Sequence, residues 1–279
     1  MRVTLLGTGD AVGVPAPLCD CRYCEESPRR RRPGLLIETG EATVVLDASP
    51  EIKEQLRTTG TTTVDAFFVT HHHFDHVGGL RELRHAAMGF DEHVGIEGDY
   101  LPSDAFDESE KPEDPEFRVY LTETALDHLE TATPHVAESL DVRTLDRGED
   151  VAVGDLCVRP FPVEHGRPQF DTLGFAVYQE DRKLVYAPDM WEFADDAEFE
   201  RAQAYEDAEF LFAEGSALFR AFGHGKETDL RASLADADAD RTVLLNLNEH
   251  LQRMTTDELR AVAEEAGYEI GSDFAEYEL

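Results

Sequence analysis

The segment Thr70-His71-His72-His73-Phe74-Asp75-His76-Val77-Gly78-Gly79 sets ligand-type side chains at the spacing His-x-His-x-Asp-His. At a strand end this spacing lets His71 and His73 reach one metal while Asp75 and His76 reach another. Neutral imidazole and carboxylate suit zinc, iron and manganese. Gly78 and Gly79 let the loop turn closely into the helix that follows. His72, between the two ligand histidines, is expected to point away.

A second group of ligand types lies near the N-terminus. Cys19, Cys21 and Cys24 fall within six residues of one another, whereas Cys157 stands alone in an apolar strand-like run. In a reducing compartment such a cluster reads as metal-binding rather than disulfide-forming.

These residues need a scaffold of short strands. The runs Arg2 to Leu6, Gly34 to Glu38, Thr43 to Asp47 and Ala66 to Thr70 are rich in Val, Leu, Ile or Phe and bounded by Gly, Asp or Pro. Ser49 to Arg57 and Gly79 to Met88 read as helices, the first with Pro50 near its start. Further helical patterns cover Thr122 to Thr131 and His135 to Leu140. Strands return at Val142 to Leu145, Val151 to Val153, Leu156 to Val163, Leu173 to Tyr178 and Lys183 to Ala187. The last part alternates helix and strand, with helices near Asp195 to Tyr205, Glu227 to Leu234 and Thr255 to Ala266, and strands Glu209 to Ala213 and Thr242 to Leu247. The order fits an α+β fold of two sheets packed face to face with helices outside. The reading is one domain over residues 1–279, with an acidic, proline-containing insertion near 89–118.

The loop and its context resemble the metallo-β-lactamase superfamily over nearly the full chain. The resemblance implies an αββα sandwich of two mixed sheets with metals at one edge. It assigns His165, in Val163-Glu164-His165-Gly166, to a third ligand motif, and Asp189, in Tyr186-Ala187-Pro188-Asp189, to the bridging carboxylate. Asp47, in Val45-Leu46-Asp47-Ala48, takes the place of an aspartate that supports the metal loop through hydrogen bonds. A narrower resemblance runs from Gly7-Thr8-Gly9-Asp10-Ala11 through Gly13-Val14-Pro15 to the three cysteines, and is to the phosphoribosyl cyclic phosphodiesterase-like group. It implies a structural zinc held by Cys19, Cys21, Cys24 and His250, and a histidine near substrate at His224. The chain departs from the pattern in one place. Asn246 stands where a histidine usually completes the second metal site, so that either Asn246 or His250 is left to do so.

The expected function is therefore metal-dependent hydrolysis, with a phosphodiester, cyclic ones included, as the substrate that the narrower resemblance implies. Two divalent metals, zinc or manganese, are expected, the second held more weakly. A water between them loses its proton near neutral pH and attacks, while Asp75 or His224 protonates the leaving group. Two rivals stand beside this. One is a transfer-RNA 3′-processing nuclease, which shares the histidine loop. The other is a metal-binding pathway protein with weak or no catalysis, suggested by Asn246.

Charge bears on the setting. The formal net charge is −35, from 60 acidic and 25 basic residues, and only four of the basic ones are lysines. Such a surface suits a halophilic cytoplasm, because the Debye length falls to about 3 Å at 1 M salt and self-repulsion becomes tolerable. At low salt the charge repels nucleic acid; at molar salt it leaves an RNA substrate open. No apolar run approaches the roughly 20 residues of a membrane span, and the N-terminus has no signal-peptide pattern. A cytoplasmic protein with a small phosphodiester substrate and no membrane partner is expected, and the sequence leaves a homodimer open.

Overall fold

A computed structural model of the chain describes residues 1–89, 114–146, 148–166, 169–193, 204–219 and 227–279. Fifteen strands among them form two sheets. In the first, β1 (Arg2–Gly7), β2 (Gly34–Glu38), β3 (Thr43–Leu46), β4 (Ala66–Phe68), β5 (Arg118–Leu121) and β6 (Asp141–Thr144) lie side by side in that order, with β15 (Glu276–Glu278) beyond β1. The second runs β11 (Glu192–Phe193), β8 (Leu156–Glu164), β9 (Thr172–Gln179), β10 (Arg182–Ala187), β12 (Phe210–Glu214), β13 (Arg241–Leu245) and β14 (Glu269–Ile270), with β7 (Val151–Val153) paired to β8.

Strand alternation explains the layering. In β3, Val44 and Leu46 enter the core between the sheets, whereas Val45 joins the outer core under the helices. In β12, Phe210 and Phe212 face inward and Leu211 and Ala213 face the helices on the other side. Successive strand side chains point to opposite faces, so strands buried on both faces read as continuous apolar runs. The result is helix, sheet, sheet, helix. Phe68, Tyr186 and Phe212 are fully buried in the central layer, where each such side chain contributes roughly 1.5–3 kcal/mol.

The structure adds strands that the sequence pattern did not separate. β5 begins where the acidic stretch ends, and parallel pairing to β4 and β6 fixes it. β14 and β15 are only two and three residues long and carry acidic side chains, too little for a periodic signal. Most of the predicted insertion and most of the predicted helix near 195–205 lie outside the described residues. Among the described residues no helix is long and apolar enough to cross a membrane.

The central strands of each sheet run parallel: β3, β4, β5 and β6 in one, and β10, β12, β13 and β14 in the other. Their C-terminal ends therefore gather at common edges. Asp47 follows β3, the histidine loop follows β4, Asp189 follows β10, Glu214 ends β12 and Asn246 follows β13. Edges of this kind are where open α/β sheets place their ligands.

Candidate metal centre

Asp47 organises the loop from below. It is fully buried and adopts φ 65°, a left-handed conformation unusual for a residue with a side chain. Its Oδ1 accepts from Thr70 N at 2.8 Å and from Thr70 Oγ1 at 3.0 Å. Its Oδ2 lies 2.7 Å from His76 Nδ1 and accepts from the Tyr186 hydroxyl at 3.1 Å. With Nδ1 held there, His76 turns Nε2 toward Asp75 and Asp189, 3.2 Å from an Oδ2 of each. Thr70 Oγ1 holds His71 Nδ1 at 3.0 Å in the same way, leaving His71 Nε2 3.5 Å from Asp189 Oδ2. These are the supporting contacts that fix the orientation of a ligating imidazole.

The turn itself needs its glycines. A Cβ on Gly79 would lie 2.2 Å from Ser49 O, and one on Gly78 would lie 2.7 Å from Phe74 O. His72 turns aside, as expected, and its ring centroid lies 4.3 Å from that of His128. Burial there holds its pKa down to about 4.

Two ligand sets result, and they share Asp189. His71, His73, His165 and Asp189 form one, and Asp75, His76 and Asp189 the other. Asp189 Oδ2 is 3.5 Å from His71 Nε2, 3.2 Å from His76 Nε2 and 3.6 Å from His165 Nε2. Ligands about 2.05 Å from one tetrahedral ion are separated by about 3.3 Å, so these spacings fit a metal. Among the described residues the buried Nε2 atoms of His71 and His76 have no hydrogen-bond partner, as suits atoms that would face an ion.

The electrostatics agree. Burial drives His71 well below the ordinary histidine pKa, with neighbouring His76 adding to the effect, so the ring stays neutral as a ligand must. Burial also opposes a charge on His76, but Asp47, Asp75 and Asp189 outweigh it and raise its pKa well above the ordinary value. This surplus of carboxylates attracts a cation. Asp75 is pushed up by burial, and the nearby His76 more than reverses this. A carboxyl held below its usual range is suited to ligation.

Asn246 differs from the histidine of the family pattern in what its side chain offers. It occupies the expected place, buried and with φ 61°. However, it presents its amide nitrogen, which donates to Asp189 Oδ1, to Glu214 Oε2 at 2.7 Å and to Pro188 O at 3.3 Å. Two carboxylates fix the amide in that orientation, because turning its oxygen toward them would set acceptor against acceptor. Asn246 thus holds Asp189 instead of offering an oxygen to a second metal. Asn246→Ala should leave Asp189 and buried Glu214 facing each other without a donor between them, and weaken metal affinity by roughly 10- to 100-fold. Calorimetric metal titration reads this, and an unchanged affinity would contradict it.

His250 lies in the other cluster. Its Nδ1 is 3.4 Å from Cys19 Sγ, 3.3 Å from Cys21 Sγ and 3.4 Å from Cys24 Sγ. Zinc at about 2.3 Å from sulfur and 2.05 Å from nitrogen sets tetrahedral S···N edges near 3.5 Å. The hydrogen bond with His250 lowers Cys21 to about 6, and burial pushes Cys24 up to about 11. Asn246 thus faces Asp189 and Glu214, and His250 faces the three cysteines. His224 lies outside the described residues.

A cavity of about 240 Å³ opens beside the ligands and is lined in part by His73, Asp75, Asp189 and Asn246. Asp10, Ser216, Asn248 and Gln252 complete its polar wall. None of these four was singled out as functional from the sequence. In the sequence Asp10 is one position of a glycine-rich motif.

Comparison with known proteins now bears on this geometry. The family profile described as "Beta-lactamase superfamily domain" matches residues 42–246. The chain belongs to the beta-lactamase superfamily. Two similar crystal structures carry its metallo-β-lactamase fold over the full length of the chain. Zinc-bound PqqB from Methylobacterium extorquens is 21% identical, with a TM-score of 0.75 and 100% of each chain covered. A diphosphatase of the PhnP family is also 21% identical, with a TM-score of 0.74 over 100% of this chain and 97% of that one. Among curated relatives, Ribonuclease Z of Methanopyrus kandleri is 28% identical over 169 residues, 60% of this chain and 47% of that protein. An octanoyltransferase of Porphyromonas gingivalis is 44% identical over 88 residues, 30% of this chain and 18% of that protein. The chain thus spans less than half the length of the curated relatives it matches.

Proposed function

We propose that the protein is a metal-dependent phosphodiesterase that acts on small phosphodiesters. The observation that carries this reading is the pair of ligand sets sharing Asp189 at the mouth of a small cavity. The N-terminal cysteine motif and the likeness to a PhnP-family diphosphatase support a phosphorus ester as substrate.

Divalent metals bound there would supply Lewis acidity to the phosphoryl oxygens and bring a water's pKa near neutral. The chain's own residues do the rest. Asp47 and Thr70 hold the imidazoles in the ligating tautomer. Asn246 steadies Asp189, the carboxylate that both sets require. The second set offers three protein ligands against four in the first, so a second metal would bind more weakly, and protein purified without added metal should carry less of it. Cys19, Cys21, Cys24 and His250 would hold a separate structural zinc.

A ribonuclease of the transfer-RNA 3′-processing type is the second reading, supported by the 28% identity to Ribonuclease Z. The small cavity and its acidic wall favour the smaller substrate.

The test is hydrolysis of bis(p-nitrophenyl) phosphate at molar salt, with and without chelation. Chelation should abolish turnover, and added zinc or manganese should restore it. Full turnover by metal-free protein would end the metal-dependent reading. Absent turnover at full metal occupancy would favour a metal-binding protein without this catalysis.

A further inference from the structure

The rest of the polar lining of this cavity comes from segments far apart in sequence. Asp10 sits on the loop after β1, Ser216 just after β12, and Asn248 and Gln252 beyond β13. Asn248 is buried, and its Nδ2 donates to Asp10 Oδ1 at 2.6 Å and to Gly13 O at 3.3 Å. Asp10 Oδ1 also accepts from Val12 N and Gly13 N, each at 3.0 Å. One carboxylate oxygen is thereby fully engaged, and Oδ2 accepts no hydrogen bond from the described residues.

Ser216 is a second, independent sign of a ligand. It is 8% exposed, and its hydroxyl has no hydrogen-bond partner among the described residues. A buried hydroxyl left unpaired is costly unless something occupies the space beside it. Gln252, also buried, spends Oε1 on Asn248 N at 3.0 Å and lines the same wall. None of the described lining residues is a lysine or arginine.

We propose that Asp10 and Ser216, with Asp10 held by Asn248, form a subsite that takes a neutral, hydroxyl-bearing group attached to the scissile phosphoryl and rejects a second anionic group there. A carboxylate oxygen accepts a hydroxyl proton, and an unpaired serine hydroxyl can donate or accept in return. A phosphate in the same place would meet a fixed like charge with no cationic side chain beside it. Asp10 and Ser216 act on the choice of substrate; Asn248 is a positioning residue.

This inference rests on the phosphodiester reading, and its test separates the two. The probes are the propyl, 3-hydroxypropyl and 3-phosphopropyl esters of p-nitrophenyl phosphate, hydrolysed by the metal-loaded protein. Wild type should prefer the hydroxypropyl ester to the phosphopropyl ester by roughly 10-fold or more in kcat/KM. Asp10→Asn keeps the shape and Oδ1 but removes the charge, and should reduce that preference about 10-fold by raising the phosphopropyl rate. Ser216→Ala should reduce the advantage of the hydroxypropyl over the propyl ester. Calorimetry of 3-hydroxypropyl phosphate and propane-1,3-diyl bisphosphate gives the same comparison as binding, with no turnover involved. A preference unchanged in Asp10→Asn by both readouts would overturn the inference and leave the phosphodiesterase reading standing. No hydrolysis of any of the three esters by wild type would overturn both.

Discussion

Replacing Asp189 by alanine should strip metal from both ligand sets and lower phosphodiester turnover by on the order of 10³-fold or more. The size of the effect follows from its position. One carboxylate oxygen lies within 3.6 Å of the Nε2 atoms of His71, His76 and His165, and the other is held by Asn246. Without it, the second set falls from three protein ligands to Asp75 and His76 alone. The first set keeps three histidines, so partial retention of one metal with little turnover is the expected pattern. Metal content and rate, measured on the same samples, check this. A variant that retains both metals and wild-type turnover would contradict the bridging role.

The second large effect concerns Cys21→Ser. The three thiols and His250 join the N-terminal loop to the segment after β13. Zinc bound there stabilises the fold by mass action, about 4 kcal/mol when free metal is a thousandfold above the dissociation constant. For a chain of this size that corresponds to roughly 10 °C in Tm. Loss of one equivalent of zinc and a fall in Tm of that order are expected. The hydrolytic metals should be far less affected, because no ligand is shared between the clusters. An unchanged zinc content would count against the site. The buried ion pair of Arg30 with Glu249, at 2.9 Å, ties the same two segments together and should keep the variant folded.

The parts of this arrangement that were legible in the sequence are those written in contiguous residues. The histidine loop, the cysteine cluster and the apolar strands each carry a local pattern, and in the structure His71 and His73, Asp75 and His76, and Cys19, Cys21 and Cys24 lie in groups that could hold a metal. His165, Asp189 and Asp47 lie on separate strand ends, and resemblance alone singled them out. Asn246 shows where reading by position fails. Its place in the chain suggested a ligand, but the direction of its amide depends on Glu214, thirty-two residues away, at the end of the neighbouring strand. Asp10, Ser216 and Asn248 have no spacing that connects them. They become one wall only when the loop after β1 folds against the segment after β13.

Anomalous scattering from crystals of zinc-loaded protein, collected on either side of the zinc absorption edge, tests the central claim most directly. The account predicts a strong peak among His71, His73, His165 and Asp189, a weaker one between Asp75, His76 and Asp189, and a third among the cysteines and His250. No peak among the histidines and Asp189 of a fully loaded crystal would contradict it.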